Sequence, residues 1–345
     1  MKKILFIFLP LFSFSQIPNY YNSIDFSQEG DVLKNQLSTL IINTHSTLVP
    51  YTSSTLDTWD VLKESDISTE DNVLLVYGYN DTDDVSKNDR ERLESLSCHS
   101  SSCIGLWNRE HVYPKSRATP SLQTDHPSAG TDVHNLKPCD SQMNSSRNNR
   151  LFVNSTGNSH IDGDGYWYPG DEWKGDVARI VMYMYLRYPN QCPAINIGTG
   201  STSYSNFNDM YDLFLEWNIE DPVSQHEERR NNYIYSIQGN RNPFIDNPFL
   251  ATMIWNGDPA EDKWQVLNTE NLRFNQIKIF PTIATDYIIL SNVSSTESIY
   301  VYNSNGQKIN IEIVDHKINI QSIETGIYFI QIRNKILKKF IKVKN

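Results

Sequence analysis

From about residue 270 to its C terminus the chain holds no tryptophan and no cysteine; all 7 Trp and all 4 Cys lie before that point. In the same stretch Ile, Val and Tyr alternate with polar residues, and Asn305-Gly306 and Thr325-Gly326 punctuate the runs. Alternation with a period of two puts the apolar side chains on one face of each strand, and a second layer must cover that face. The tail therefore predicts six or seven short strands packed as a small all-β sandwich. Upstream the apolar spacing is mostly helical. A chain of 345 residues has room for both parts. The expected organisation is a leader over 1–15, a mostly helical larger domain over 16–272 and the β-domain over 273–345. The fold class is α+β.

Met1–Ser15 reads as a secretory signal peptide: Lys2 and Lys3, an apolar run, then small residues before Gln16. It is too short for a comfortable membrane span, and no cysteine follows it to carry a lipid. An exported protein with four cysteines favours disulfides. Cys98–Cys103 with Cys139–Cys192 is the preferred pairing of the three possible. A zinc site is the competing reading, and it lacks a CxxC pair.

Within the larger domain, Val32, Leu33, Leu37, Leu40 and Ile41 predict a helix inside residues 17–44. A second short helix is expected over Ser54–Glu64, and Asn72–Tyr79 reads as a strand. Trp107–Pro114 and Thr131–Leu136 read as two more strands, followed by a helix from Pro138 to about Asn149. Helices are also expected over Trp173–Tyr188, stopped by Pro189, and over Asn206–Trp217. Another starts at Asp221-Pro222, with Asp as the cap. The charges of Glu227–Arg230 read as its solvated face. Asp162-Gly163-Asp164-Gly165 lacks the full ligand pattern of a calcium loop and reads as a turn.

Charge bears on the choice of partner. Nine Lys/Arg against five Asp/Glu leave residues 274–345 at +4, and Lys2 and Lys3 add +2. The formal −11 of the whole chain thus places −17 on residues 16–273. Such a body does not attract nucleic acid through its global field. A chain of this charge that handled nucleic acid would need a local basic cleft and a metal ion.

The chemistry gathers in Trp107-Asn108-Arg109-Glu110-His111-Val112-Tyr113-Pro114, Asp132-Val133-His134-Asn135-Leu136-Lys137-Pro138 and Asn144-Ser145-Ser146-Arg147-Asn148. A neutral histidine can take a proton from water near neutral pH. Glu and Asn offer the oxygen ligands that hard cations prefer. Neighbours in a strand face opposite ways, so Glu110 and His111 serve one site only at a strand end or bend. A hairpin followed by a helix meets that condition.

On these motifs the sequence resembles the bacterial endonuclease I family of secreted nucleases, which carry a ββα-metal fold. The likeness extends to Lys174–Arg179 and to the segment from Asp221 through Phe244, and covers roughly residues 28–255. It implies an embedded ββα-metal motif, with His111 as general base and Glu110 and Asn144 on one Mg²⁺ ion (or Mn²⁺ or Ca²⁺). It also implies Arg147 at a phosphate, and His134 and Asn135 as orienting residues behind the site. Arg109, Lys115, Arg117 and Arg150 are the expected nucleic-acid contacts. Arg179 and Arg241 read as internal ion-pair partners.

The tail resembles the C-terminal sorting domain of type IX secretion. The matching features are Ile279-Phe280-Pro281, the hairpin from Ile299 to Lys308, Gly326-Ile327-Tyr328-Phe329 and the basic end Lys338–Lys344. Thr282-Ile283 stands where an Asn-Pro is usual. The resemblance implies passage through the periplasm of a Gram-negative bacterium to the cell surface or medium. The full reading is an exported, monomeric, metal-dependent endonuclease acting on DNA, with RNA as a second candidate substrate, and with little sequence preference. The rival is an inactive surface-binding or adhesion protein on the same fold.

Overall fold

The computed structural model describes residues 17–69, 71–100, 102–266, 278–291, 298–314, 316–332 and 335–344. The expected signal peptide and the expected boundary near 272 lie outside them. The chain divides into two compact units, the first ending at Trp264 and the second starting at Gln265.

The first unit opens with α1 (Gly30–Thr44) and α2 (Thr58–Ser65). Asp57 caps α2 by accepting from the backbones of Trp59 and Asp60, and Asp60 returns the bond to the Asp57 backbone. Three short antiparallel strands follow: β1 (Ile67–Thr69), β2 (Asn72–Leu74) and β3 (Glu91–Leu93). The strand expected to run to Tyr79 stops at Leu74. The chain turns there, and Tyr77 takes φ 71°, a left-handed conformation that a bulky side chain rarely adopts.

Next comes the hairpin that positions the site. β4 (Trp107–His111) pairs antiparallel with β5 (Leu136–Asp140), Glu110 opposite Lys137 and His111 opposite Leu136. The second strand begins where its expected span ended, because 129–131 and 133–135 form tight 3₁₀ turns instead. Asp132 joins these turns; its Oδ1 accepts from the His134 backbone and Gln238, and its Oδ2 from Tyr183 and Tyr188. Pro138 lies inside β5 rather than opening a helix. The helix α3 (Ser141–Arg147) starts three residues later, because Asp140 caps it by accepting from Gln142 and Met143. Arg92 of β3 donates to the other oxygen of Asp140 at 2.6 Å.

A small ribbon, β6 (His160–Ile161) with β7 (Trp167–Tyr168), leads to α4 (Lys174–Arg187). This central helix is buried on nearly all sides, and α1, α5 (Asp212–Glu220) and α7 (Pro243–Asp246) pack on it. The helix α6 (Gln225–Gln238) is capped by Ser224 in a reciprocal box with Glu227, not by Asp221, whose carboxylate accepts from the Gly175 backbone. Glu227 and Arg230 are buried, the first on Arg179 at 2.6 Å and the second on Asp66 at 3.0 Å. Only Glu228 and Arg229 keep the solvated face expected of the whole run. Arg241 pairs with Asp246, so both arginines expected inside are ion-paired. The last helix is α8 (Phe249–Trp255).

Cys98 and Cys103 form a disulfide, whereas Cys139 and Cys192 are free and buried. The second expected bridge is therefore absent. Cys139 sits in β5 with its thiol on the Val76 carbonyl, while Cys192 follows α4 and donates its backbone N–H to the Tyr188 carbonyl.

In the second unit β8 (Lys278–Phe280), β10 (Tyr287–Ser291), β13 (Ile313–Val314) and β14 (Lys317–Asn319) make one sheet. β9 (Ile283–Ala284), β11 (Ile299–Asn303), β12 (Lys308–Ile309), β15 (Gly326–Ile332) and β16 (Lys335–Lys342) make another. Ile288, Leu290 and Ile318 from the first share one core with Val301, Ile330 and Phe340 from the second. Among the described residues no helix is long and apolar enough to cross a membrane.

Candidate active site

Side chains on β4 divide by parity. Asn108 and Glu110 share one face, Arg109 and His111 the other. On the first face the Asn144 amide of α3 donates from Nδ2 to Asn108 Oδ1 at 2.8 Å. That bond fixes the amide and leaves Asn144 Oδ1 as its lone-pair end. Glu110 is nearly fully buried; its Oε1 accepts from the Tyr77 hydroxyl at 3.1 Å and lies 3.3 Å from Arg147 Nε. The arginine contact is an ion pair without hydrogen-bond alignment, since Arg147 Nε has no aligned acceptor. Burial pushes the Glu110 carboxyl up to about 7, against the pull of Arg147 and Tyr77.

Arg147 is wholly buried. Its Nη1 donates to Asn148 O, its Nη2 to Val112 O, and its guanidinium lies over the Phe152 ring. It stands behind Glu110 rather than at the surface where a phosphate contact was expected.

His111 ends β4, where the strand gives way to the loop, and this resolves the opposed directions of neighbouring residues. Its Nε2 is 2.7 Å from the Gly130 carbonyl. A carbonyl only accepts, so Nε2 carries the proton and Nδ1 is the basic nitrogen. Burial holds the imidazole down to about 4, with the Gly130 bond opposing, so the ring is neutral at pH 7. Gly130 has no room for a side chain: a Cβ there would lie 2.0 Å from Gln123 O. The ring plane is set by Tyr51, stacked at 5.7 Å and 28°.

Tyr51 also bears on Arg109, whose guanidinium carbon lies 3.3 Å from the Tyr51 ring centre and 4.1 Å from that of Trp59. Arg109 donates to Thr58 Oγ1 and Thr52 Oγ1 and to the Tyr51 carbonyl. These contacts make it a brace for the His111 face rather than a free cation.

Of the two orienting residues, Asn135 brackets the chain just past His111. Its Oδ1 accepts from Tyr113 N at 2.7 Å and its Nδ2 donates to Tyr113 O at 3.1 Å, so the amide serves as a further rung of the hairpin. His134 lies deeper, its ring 4.4 Å from that of Tyr183. Burial lowers its imidazole to about 3 against the opposing Asp132. Lys115 is exposed; Arg117 and Arg150 are half-buried and donate to Asn149 O and Ser146 O, both at 2.8 Å. These three stand on the segments that flank His111 and α3.

A hard cation fits the residues present. Tyr77 and Arg147 engage Oε1 of Glu110, and Asn144 is held to Asn108 through its amide nitrogen, with its oxygen as the acceptor end. Among the described residues no three His, Cys, Asp or Glu side chains converge as a cage. Two oxygen ligands suit an ion that keeps most of its water, as Mg²⁺ does.

Tyr77, Gly130, Tyr51 and Asn108 complete the site, and only Asn108 stood within the recognised motifs. Tyr77-Gly78 and the glycine of Ala129-Gly130-Thr131 were the available signals.

Two family models and several curated relatives match the chain. The family model "Endonuclease I" matches residues 29–249, and "Secretion system C-terminal sorting domain" matches 278–344. An extracellular ribonuclease of Bacillus subtilis (strain 168) is 35% identical over 261 residues, covering 71% of this chain and 81% of that protein. An extracellular ribonuclease of Bacillus amyloliquefaciens is 37% identical over 252 residues, covering 68% and 78%. An extracellular deoxyribonuclease of Aeromonas hydrophila is 29% identical over 125 residues, covering 33% and 49%.

Proposed function

The chain belongs to the endonuclease I family and carries a secretion sorting domain; on that premise we propose a secreted, monomeric endonuclease that hydrolyses phosphodiesters of RNA and DNA with a divalent metal. The observation that carries this reading is the neutral His111, its Nε2–H held by Gly130 and its Nδ1 left to act as a base, beside Glu110 on the next position of β4. The relatives with the fuller coverage are named ribonucleases, so RNA stands level with DNA as a substrate.

His111 Nδ1 takes the proton of a water that attacks phosphorus in line with the leaving 3′-oxygen, which leaves a 5′-phosphate. As the ring becomes an imidazolium, the Gly130 carbonyl stabilises the charge through Nε2–H. Glu110 and Asn144 would hold the cation through their side-chain oxygens, and the ion would offset the negative charge of the transition state. Tyr77 and Arg147 favour the ionised form of Glu110 against its burial and aim the carboxylate. Lys115, Arg117 and Arg150 attract the backbone locally despite the acidic body, and backbone contacts carry no sequence preference.

The test is cleavage of supercoiled plasmid and of single-stranded RNA, with Mg²⁺ and with EDTA, beside His111→Ala. Metal-dependent cleavage that falls by about two or more orders of magnitude in the variant is expected. A folded protein that cuts neither substrate with any divalent ion refutes the reading and favours a binding role.

A further inference from the structure

A cavity of about 240 Å³ opens beside α3, with Met143 and Trp167 among its buried lining and Tyr79, Lys87 and His160 half-buried around it. We propose that it is a subsite for one nucleobase of the substrate strand, next to the scissile phosphate; the proposal rests on the nuclease reading above.

Its position carries the first part of the argument. The α3 helix that supplies Met143 and Ser146 to the cavity also presents Asn144 to the candidate metal site. Tyr77 separates the two places: its ring meets the Trp167 ring edge-on at 5.3 Å, and its hydroxyl bonds Glu110. Ser159, another lining residue, donates to the Tyr77 carbonyl at 2.7 Å. One side chain therefore lies between the cavity and the catalytic carboxylate. Tyr77 is also the residue held at φ 71°, and strain of that kind gathers at functional sites.

The chemistry of the walls carries the second part. Trp167 and Asn88 both line the cavity and both are buried. Tyr79 and His160 add flat rings for stacking, and Lys87 brings a cation for the neighbouring phosphate. The volume is well above the roughly 30 Å³ share of one water and below the about 300–1,000 Å³ of a drug-sized pocket. It suits a single ring system.

The experiment uses the full chain and an end-labelled single strand of uniform base, in DNA and in RNA, carrying one abasic position. Cleavage should drop about 5- to 150-fold at one fixed distance from the abasic position, leaving a gap in the ladder. Tyr79→Ala should weaken cutting of the intact strand and erase the gap; His160→Ala makes the same test if Tyr79→Ala does not fold. An even ladder from the active wild type overturns the subsite and leaves the nuclease reading standing, with the cavity then holding water. A gap that survives unchanged in the folded variants also overturns it. No cleavage of either strand removes the nuclease reading and the subsite with it.

Discussion

Gly130→Ala tests whether the base is positioned by the loop. The added methyl would stand 2.0 Å from the Gln123 carbonyl oxygen, where ordinary contact needs 3.4 Å or more. The loop must give by about 1.4 Å. Gln123 is exposed, so the segment can move without dismantling the core. The bond from His111 Nε2 to Gly130 O starts at 2.7 Å, and the part of that shift taken up at Gly130 lengthens it toward the limit of hydrogen-bond range. The contact that fixes the His111 tautomer and stabilises its charged form then weakens. Misplacement by about 1 Å costs on the order of 10²-fold in rate. The assay is kcat on a fluorescent oligonucleotide at saturating metal, with thermal unfolding alongside. Gly163→Ala is the control, because nothing lies within 4 Å of its added carbon. A kcat within threefold of wild type in Gly130→Ala, from a folded protein, would refute the assignment of the Gly130 carbonyl as the partner of the base.

Tyr77→Phe removes the hydroxyl from Glu110 while keeping the ring; the metal concentration for half-maximal activity should rise about 10- to 100-fold, and an unchanged metal titration would count against Glu110 as a ligand. Below pH 6.5 an unfolded His134 takes up a proton that the folded one, held near 3, refuses. Stability from this residue is therefore complete above about pH 6.5 and falls by about 1.4 kcal/mol per unit on acidification toward 3. Urea unfolding at pH 7 and pH 5 should show a smaller difference in His134→Gln, and an equal difference would disprove the assignment. Cys139 and Cys192 should react with a thiol reagent only after denaturation, giving two thiols per chain; fast reaction of the native protein would contradict their burial.

The sequence by itself determined the division of labour. Loss of Trp and Cys with the onset of alternation separated a β-rich tail from a helical body, and α4 was plain from its apolar spacing and Pro189. It also held the motifs around Glu110, His111 and Asn144, because ligand and base chemistry requires particular residue types that stand near one another in the chain. What it left open depended on contacts distant in sequence. The start of α3 moved to Ser141 because Asp140, braced by Arg92, outcompetes a proline that β5 absorbs. Glu227 and Arg230 look like a solvated face until α4 and Asp66 arrive to bury them. Arg109 and Arg147 have the charge of phosphate ligands, yet Tyr51 and Trp59 take up the one and Glu110 and Phe152 the other. Tyr77 and Gly130 carry no ionisable signature that marks a site. Their roles come from a left-handed turn and from a carbonyl pressed against Gln123, and close approach between distant segments is decided only when the chain is folded.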